Sequence, residues 1–108
     1  MTQIIFFSEN SLLTGFKMTG HSTEDSDDIE GKLVCAAISS AAYMTANTIT
    51  DILKDNSEID VSDAEMQFTV NNAKECQTIL SGFKLHITEL AKEYPNRIKV
   101  INWRNNNA

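Results

Sequence analysis

Two side chains that border one polar loop, His21 and Cys35, carry the chemistry that this sequence predicts. His21 follows Gly20 at the end of a predicted strand, and Cys35 lies in the first turn or two of a predicted helix. A helix start offers unpaired backbone N–H groups and a partial positive charge, which favour a thiolate over a thiol. A neutral imidazole nearby can accept the thiol proton and later return it to a leaving amine. The pair therefore predicts nucleophilic cysteine chemistry of the kind that cleaves peptide bonds.

A structural interpretation of the same residue types stays open at this point. Cysteine is among the most often buried residues, so Cys35 also fits a structural thiol. Cys76 falls on the apolar stripe of a second predicted helix and is expected in the core, while His86 is expected at the edge of that helix. These four His and Cys residues include no closely spaced pair, so a metal-dependent regulator is disfavoured, and we expect no metal and no cofactor.

Composition sets the broad class of the protein. The chain has 108 residues, which predicts a single domain over 1–108, and its formal net charge of −6 with no basic patch disfavours nucleic-acid binding. No basic amphipathic stretch favours a membrane surface, and no uninterrupted apolar run reaches the roughly 20 residues that span a bilayer. The first residues lack the cationic segment of a signal peptide, so we expect a cytoplasmic protein with free thiols.

The elements that must position the two side chains follow from hydrophobic periodicity. Alternation and three- to four-residue spacing predict the order β-β-α-β-β-α-β. The predicted strands cover 3–7, 12–20, 58–61, 64–70 and 97–103, and the predicted helices cover 33–53 and 73–93. The simplest packing is an α+β two-layer sandwich, with one mostly antiparallel sheet and two helices on one face.

Three local features complete this prediction. The first two strands form a hairpin with a loop of about four residues, and Gly15 marks a possible bulge. The acidic segment 22–31 has one apolar side chain, so we expect a mobile surface loop there. The tail 104–108 is expected to fray.

The residues around this loop resemble the ribosomal-processing cysteine protease family of Firmicutes and related bacteria. The likeness rests on Gly20-His21, then a polar loop, then Leu33-Val34-Cys35-Ala36-Ala37-Ile38-Ser39, and the element order matches across nearly the whole chain. The resemblance implies a bacterial endopeptidase that removes the N-terminal extension of a large-subunit ribosomal protein during ribosome maturation. It implies Cys35 as nucleophile, His21 as general base and acid, and a homodimer. With it we expect Gly20, Ala36 and Ser39 to contact substrate.

The chain departs from the family pattern just before the cysteine. The loop between His21 and Cys35 is about two residues longer than usual. The family commonly has a Gly-x-Asp run where this chain has Glu30 and Lys32, with Gly31 shifted by one. Asp27, Asp28 and Glu30 are candidates to replace that aspartate, so any third catalytic residue stays open. The departure also leaves a second hypothesis, a non-catalytic dimeric module of the same fold that binds a peptide or a ribosomal protein.

Overall fold

A computed structural model describes residues 1–21 and 25–105 and contains one sheet with two long helices. The strands are β1 (Thr2–Glu9), β2 (Leu12–Thr19), β3 (Glu58–Ser62), β4 (Glu65–Thr69) and β5 (Ile98–Asn105). The helices are α1 (Ile29–Asn47), which continues into a π-helical turn over Thr48–Ile52, and α2 (Gln77–Glu93), which follows a 3-10 turn over Lys74–Cys76. This order confirms the predicted α+β class.

The five strands lie in the order β3-β4-β2-β1-β5, and every neighbouring pair is antiparallel except β1 with β5. Alternate side chains share one face, because Phe6 pairs with Phe16 and Phe16 pairs with Phe68 across three adjacent strands. Both helices contribute to the single buried cluster on that face, through Val34, Ile38, Ala42, Leu80, Phe83 and Ile87. The two-layer arrangement with a mostly antiparallel sheet is therefore confirmed.

The hairpin between β1 and β2 is tighter than predicted. Only Asn10 and Ser11 connect the strands, both with positive φ, 53° and 67°. Positive φ at both central residues is the conformation whose twist matches the strands that flank a two-residue turn. The expected loop of about four residues was therefore too long. A register shift between Phe7 and Ser8, opposite Gly15, confirms the predicted bulge.

Helix α1 begins at Ile29 rather than at 33, and this corrects part of the predicted loop. Asp28 caps the helix, since its Oδ1 accepts a 3.0 Å hydrogen bond from the backbone N–H of Gly31. Residues 29–31 are consequently helical, whereas 22–24 lie outside the described residues. The predicted tail is corrected in the same way, because β5 includes 104 and 105, and 106–108 lie outside the described residues.

The helical segment Ile29–Ile52 has 24 residues and is long and apolar enough to cross a membrane by length and composition. A core helix of a soluble protein passes the same test, so this is weak evidence. One side of the segment packs into the core through Val34, Ile38 and Ile49. We therefore describe it as a core helix with an exposed apolar side.

Candidate active site

The end of β2 turns sharply at Gly20 and carries His21 out of the sheet. Gly20 has a φ of 83°, and its N–H donates a 3.0 Å hydrogen bond to the carbonyl of Ala64. A Cβ at this position would lie 2.5 Å from the carbonyl oxygen of Met1, so both the conformation and the space require glycine. The turn leaves His21 exposed just beyond the end of β2, the middle strand of the sheet.

Cys35 lies in the second turn of α1 and is half-buried. Because the helix starts at Ile29, the N–H of Cys35 falls within the regular i to i−4 pattern and is not among the unpaired groups of the helix terminus. The favourable effect of the helix dipole declines within the first turn. The structure therefore weakens the predicted contribution of the helix start to the reactivity of Cys35.

His21 and Cys35 line the same cavity of about 140 Å³, between α1 and the turn that joins β3 to β4. Its apolar lining comes from both layers and consists of Met18, Ile38, Tyr43, Val61, Ala64 and Met66. Ser62, Asp63 and Glu65 add polar groups from the β3–β4 turn. The apolar recess is suited to hold an apolar side chain of a peptide. A thiolate beside it could then attack a carbonyl carbon of the same peptide, with an imidazole close by.

Two of the three predicted substrate-contacting residues line this cavity, and the third does not. Gly20 and Ser39 line the cavity with the pair, whereas Ala36 is exposed on α1 and does not line it. Sequence reasoning missed Tyr43 and the residues of the β3–β4 turn. Spacing of four residues along α1 links Cys35 to Ser39 and Ser39 to Tyr43, but no local signal connects the β3–β4 turn with them.

A two-pronged ion pair anchors the start of α1. Arg97 donates through Nη1 to Asp28 Oδ2 at 2.6 Å and through Nη2 to Asp28 Oδ1 at 3.0 Å. Arg97 Nε lies 3.8 Å from an oxygen of the more exposed Glu30. The hydrogen bonds to Asp28 are the main cause that raises the pKa of Arg97, and the charges of Asp28, Glu30 and Cys35 add to it. Asp28 therefore serves as helix cap and ion-pair partner together.

Cys76 has the core position that the sequence predicted. It is fully buried at the start of α2, and burial is the main cause that raises the pKa of its thiol above the ordinary 9.0. The carboxylates of Asp55 and Glu75 raise this pKa further. His86 is exposed on α2. Among residues 1–21 and 25–105, no group of three His, Cys, Asp or Glu side chains is arranged to hold a metal ion.

Comparison with known protein families finds a match over most of the chain. The family model described as cysteine protease Prp matches residues 1–99. A search of curated proteins finds no significant match.

Solved structures share the fold at low sequence identity. SMU.848 from Streptococcus mutans superposes with a TM-score of 0.86 at 22% identity, covering 97% of this chain and 99% of that one. The essential ribosomal processing protease Prp from S. aureus, with a covalently linked product peptide, gives 0.83 at 20% identity, covering 94% and 99%. The same protease with a substrate peptide gives 0.82 at 19% identity, with the same coverage.

Proposed function

The chain belongs to the cysteine protease Prp family, and we propose that it is the endopeptidase that removes the N-terminal leader of a large-subunit ribosomal protein. The observation that supports this most is the shared cavity of His21 and Cys35. In such a mechanism a thiol nucleophile and a base must meet at one substrate site. In this chain His21 comes from a strand end and Cys35 from a helix, on opposite sides of one loop.

In the proposed mechanism His21 accepts the thiol proton of Cys35, and the thiolate attacks the scissile carbonyl carbon. The carbonyl π electrons move to oxygen, and they return as the C–N bond breaks and His21 protonates the leaving amine. The product of this step is a thioester between Cys35 and the leader. Water then attacks the thioester with His21 as base, which releases the leader carboxylate and restores the thiol.

Three observations support the proposed substrate. The Prp structure from S. aureus holds a substrate peptide, and that enzyme is a ribosomal processing protease. The apolar recess beside Cys35 suits an extended peptide with a large apolar side chain. The net charge of −6 favours encounter with basic proteins, which include most ribosomal proteins, and we propose that this encounter takes place in the bacterial cytoplasm.

The test is cleavage of a synthetic leader peptide that spans the mature N-terminus of the ribosomal protein from the same organism. We expect wild type and Cys76→Ala to cleave it and Cys35→Ala to leave it intact. Cleavage by Cys35→Ala at the wild-type rate would overturn the assignment of the nucleophile. The matched Cys76 variant controls for the loss of a thiol as such.

Lys32 and Glu30, where the family commonly has a Gly-x-Asp run, motivate the second candidate function, a module that binds the leader without cutting it. Isothermal titration with the same peptide separates the two functions. Binding by wild type with no cleavage after long incubation favours the binding module, whereas turnover excludes it.

We further propose that the chain forms a homodimer, as the family resemblance implies. Among the described residues, the sheet face opposite the helices carries apolar side chains that no helix covers, since Ile5 pairs with Ile101 and Phe7 with Trp103, which is 53% exposed. The rings of Phe7 and Trp103 meet edge to face at 5.8 Å. Light scattering after size exclusion tests this proposal: we expect a dimer for wild type and a monomer for Trp103→Lys, and a monomeric wild type would contradict it.

A further inference from the structure

We propose that Arg97 is a positioning residue for the reaction, acting through Asp28 to hold the start of the helix that carries Cys35. This inference rests on the proposed role of Cys35 as nucleophile. Arg97 does not line the cavity of His21 and Cys35, so its effect is transmitted through structure.

The ion pair between Arg97 and Asp28 fixes the orientation of the two side chains relative to each other. Both carboxylate oxygens of Asp28 accept hydrogen bonds from two different nitrogens of one guanidinium group, at 2.6 and 3.0 Å. Such two-pronged pairs constrain the angle between the partners as well as their distance. Oδ1 of Asp28 also accepts from the N–H of Gly31, so the group that Arg97 holds is the cap of α1 itself. About three quarters of each charged side chain is shielded from solvent.

The main chain of Arg97 joins this cap to the strand side of the site. The carbonyl of Arg97 accepts a 2.9 Å hydrogen bond from the N–H of Thr2, which is buried and lines the cavity. Next to it, Gln3 pairs with Thr19 at the end of β2, immediately before the turn that carries His21. One residue therefore links the helix of Cys35 to the hairpin of His21.

Among the described residues, few large apolar side chains pack against the first turn of α1. Ile29 in this turn is 71% exposed and Leu33 directly after it is 65% exposed, so both side chains contribute little packing. The buried side chain Val34 lies beyond that turn. Asp28 and Glu30 offset the positive charge of Arg97, which also interacts electrostatically with Cys35.

The experiment compares Arg97→Ala, Arg97→Lys, Asp28→Asn and the double variant Asp28→Asn/Arg97→Ala. Asn is as good a helix cap as Asp, so Asp28→Asn removes the ion pair while it keeps the cap. Lys92→Ala is the matched control, since it breaks an exposed ion pair with Glu89 on α2. For each variant we measure kcat and KM on the leader peptide, the rate of Cys35 alkylation by iodoacetamide, and thermal unfolding.

We expect Arg97→Ala to lower kcat by about 10-fold or more with KM unchanged, because small displacements of a reacting group are costly in rate. Asp28→Asn is expected to lower kcat similarly, Arg97→Lys to restore part of the loss, and the double variant to be no worse than the worse single variant. Alkylation of Cys35 should slow in the same order, and Lys92→Ala should match wild type.

A folded Arg97→Ala protein with wild-type kcat overturns the proposal, as does a change confined to KM. Losses that multiply in the double variant overturn it too, because they show that the two residues act independently. If Arg97→Ala does not fold, Asp28→Asn and Arg97→Lys decide the same question. A wild-type protein that cuts no leader peptide overturns the proposed function instead, and the order of alkylation rates then still tests the positioning by Arg97.

Discussion

Cys35 and Cys76 both lie near a helix start, yet their surroundings differ in every respect that matters for reactivity. Cys76 is the closer of the two to a helix terminus, since it directly precedes α2, but it is fully buried and its pKa is raised by that burial and by Asp55 and Glu75. Cys35 lies deeper in its helix, is half-buried, and lines a cavity with His21. Both positions follow from the packing of α1 and α2 on one sheet.

The difference shows that a helix start is not enough to activate a thiol in this fold. Cys35 is distinguished by its partial exposure and by the cavity that it shares with His21, whereas burial and two carboxylates favour the thiol form of Cys76. The proposed nucleophile, Cys35, is therefore the cysteine with the weaker helix-dipole effect, and it shares a cavity with His21.

The largest expected effect comes from removing the neighbour that distinguishes Cys35. We expect His21→Ala to lower the rate of leader cleavage by about 10²–10⁴-fold, the usual contribution of a general acid–base group. Steady-state kinetics on the leader peptide measure the loss. A His21→Ala protein with the wild-type rate would show that another group takes the thiol proton. The proximity of His21 would then not explain a difference in reactivity between Cys35 and Cys76.

A smaller effect tests the surroundings of Cys76. The half-buried Asp55 accepts hydrogen bonds from the backbone N–H groups of Asn71 and Asn72, each at 2.8 Å, and from the Ser57 hydroxyl. Burial raises the pKa of Asp55, but these bonds outweigh it and the pKa is lowered from 3.8. We expect Asp55→Asn to reduce the free energy of unfolding by about 1–2 kcal/mol at pH 7.

The pH dependence of this difference has a definite sign. A carboxyl group with a lowered pKa in the folded state stabilises the protein above its unfolded pKa and loses this effect as pH falls through the folded value. The difference between wild type and Asp55→Asn should therefore be full at pH 7 and shrink as the pH falls below 3.8. Urea unfolding at several pH values measures it, and a gap that persists in acid would contradict the account.

The smallest effect concerns Cys76 itself. We expect Cys76→Ala to lower the free energy of unfolding by about 1 kcal/mol through lost packing and to leave leader cleavage unchanged. Since the pKa of this thiol is raised on folding, its contribution is complete below the unfolded pKa and declines as pH rises toward the folded value. Urea titrations with parallel activity assays check both parts, and lost cleavage in a stable variant would contradict them.

Much of this arrangement was predictable from the sequence, because periodicity is a local signal. Alternation around Phe16 and Met18 and the stripe through Leu80 and Phe83 predicted the sheet, the helices and the buried position of Cys76. The start of α1 was missed, because its first turn leaves Ile29 exposed and depends on a cap and an ion pair.

The missed parts of the site are those made by long-range contacts. Asp28 and Arg97 are 69 positions apart, and the β3–β4 turn reaches Cys35 only through the strand order. A single sequence carries no pattern that joins such residues. The pair His21 and Cys35 was predictable, because both residues border the same loop.

The most direct test of the nucleophile identifies the residue that is alkylated by a leader-derived peptide ending in a chloromethyl ketone. Mass spectrometry of the digested wild-type protein locates the adduct, with Cys35→Ser and Cys76→Ser as a matched pair of variants. We expect one adduct per chain, on Cys35, that persists in Cys76→Ser and disappears in Cys35→Ser. Adduct formation on Cys76, or a protein that still cleaves the leader with Cys35 unmodified, would contradict it.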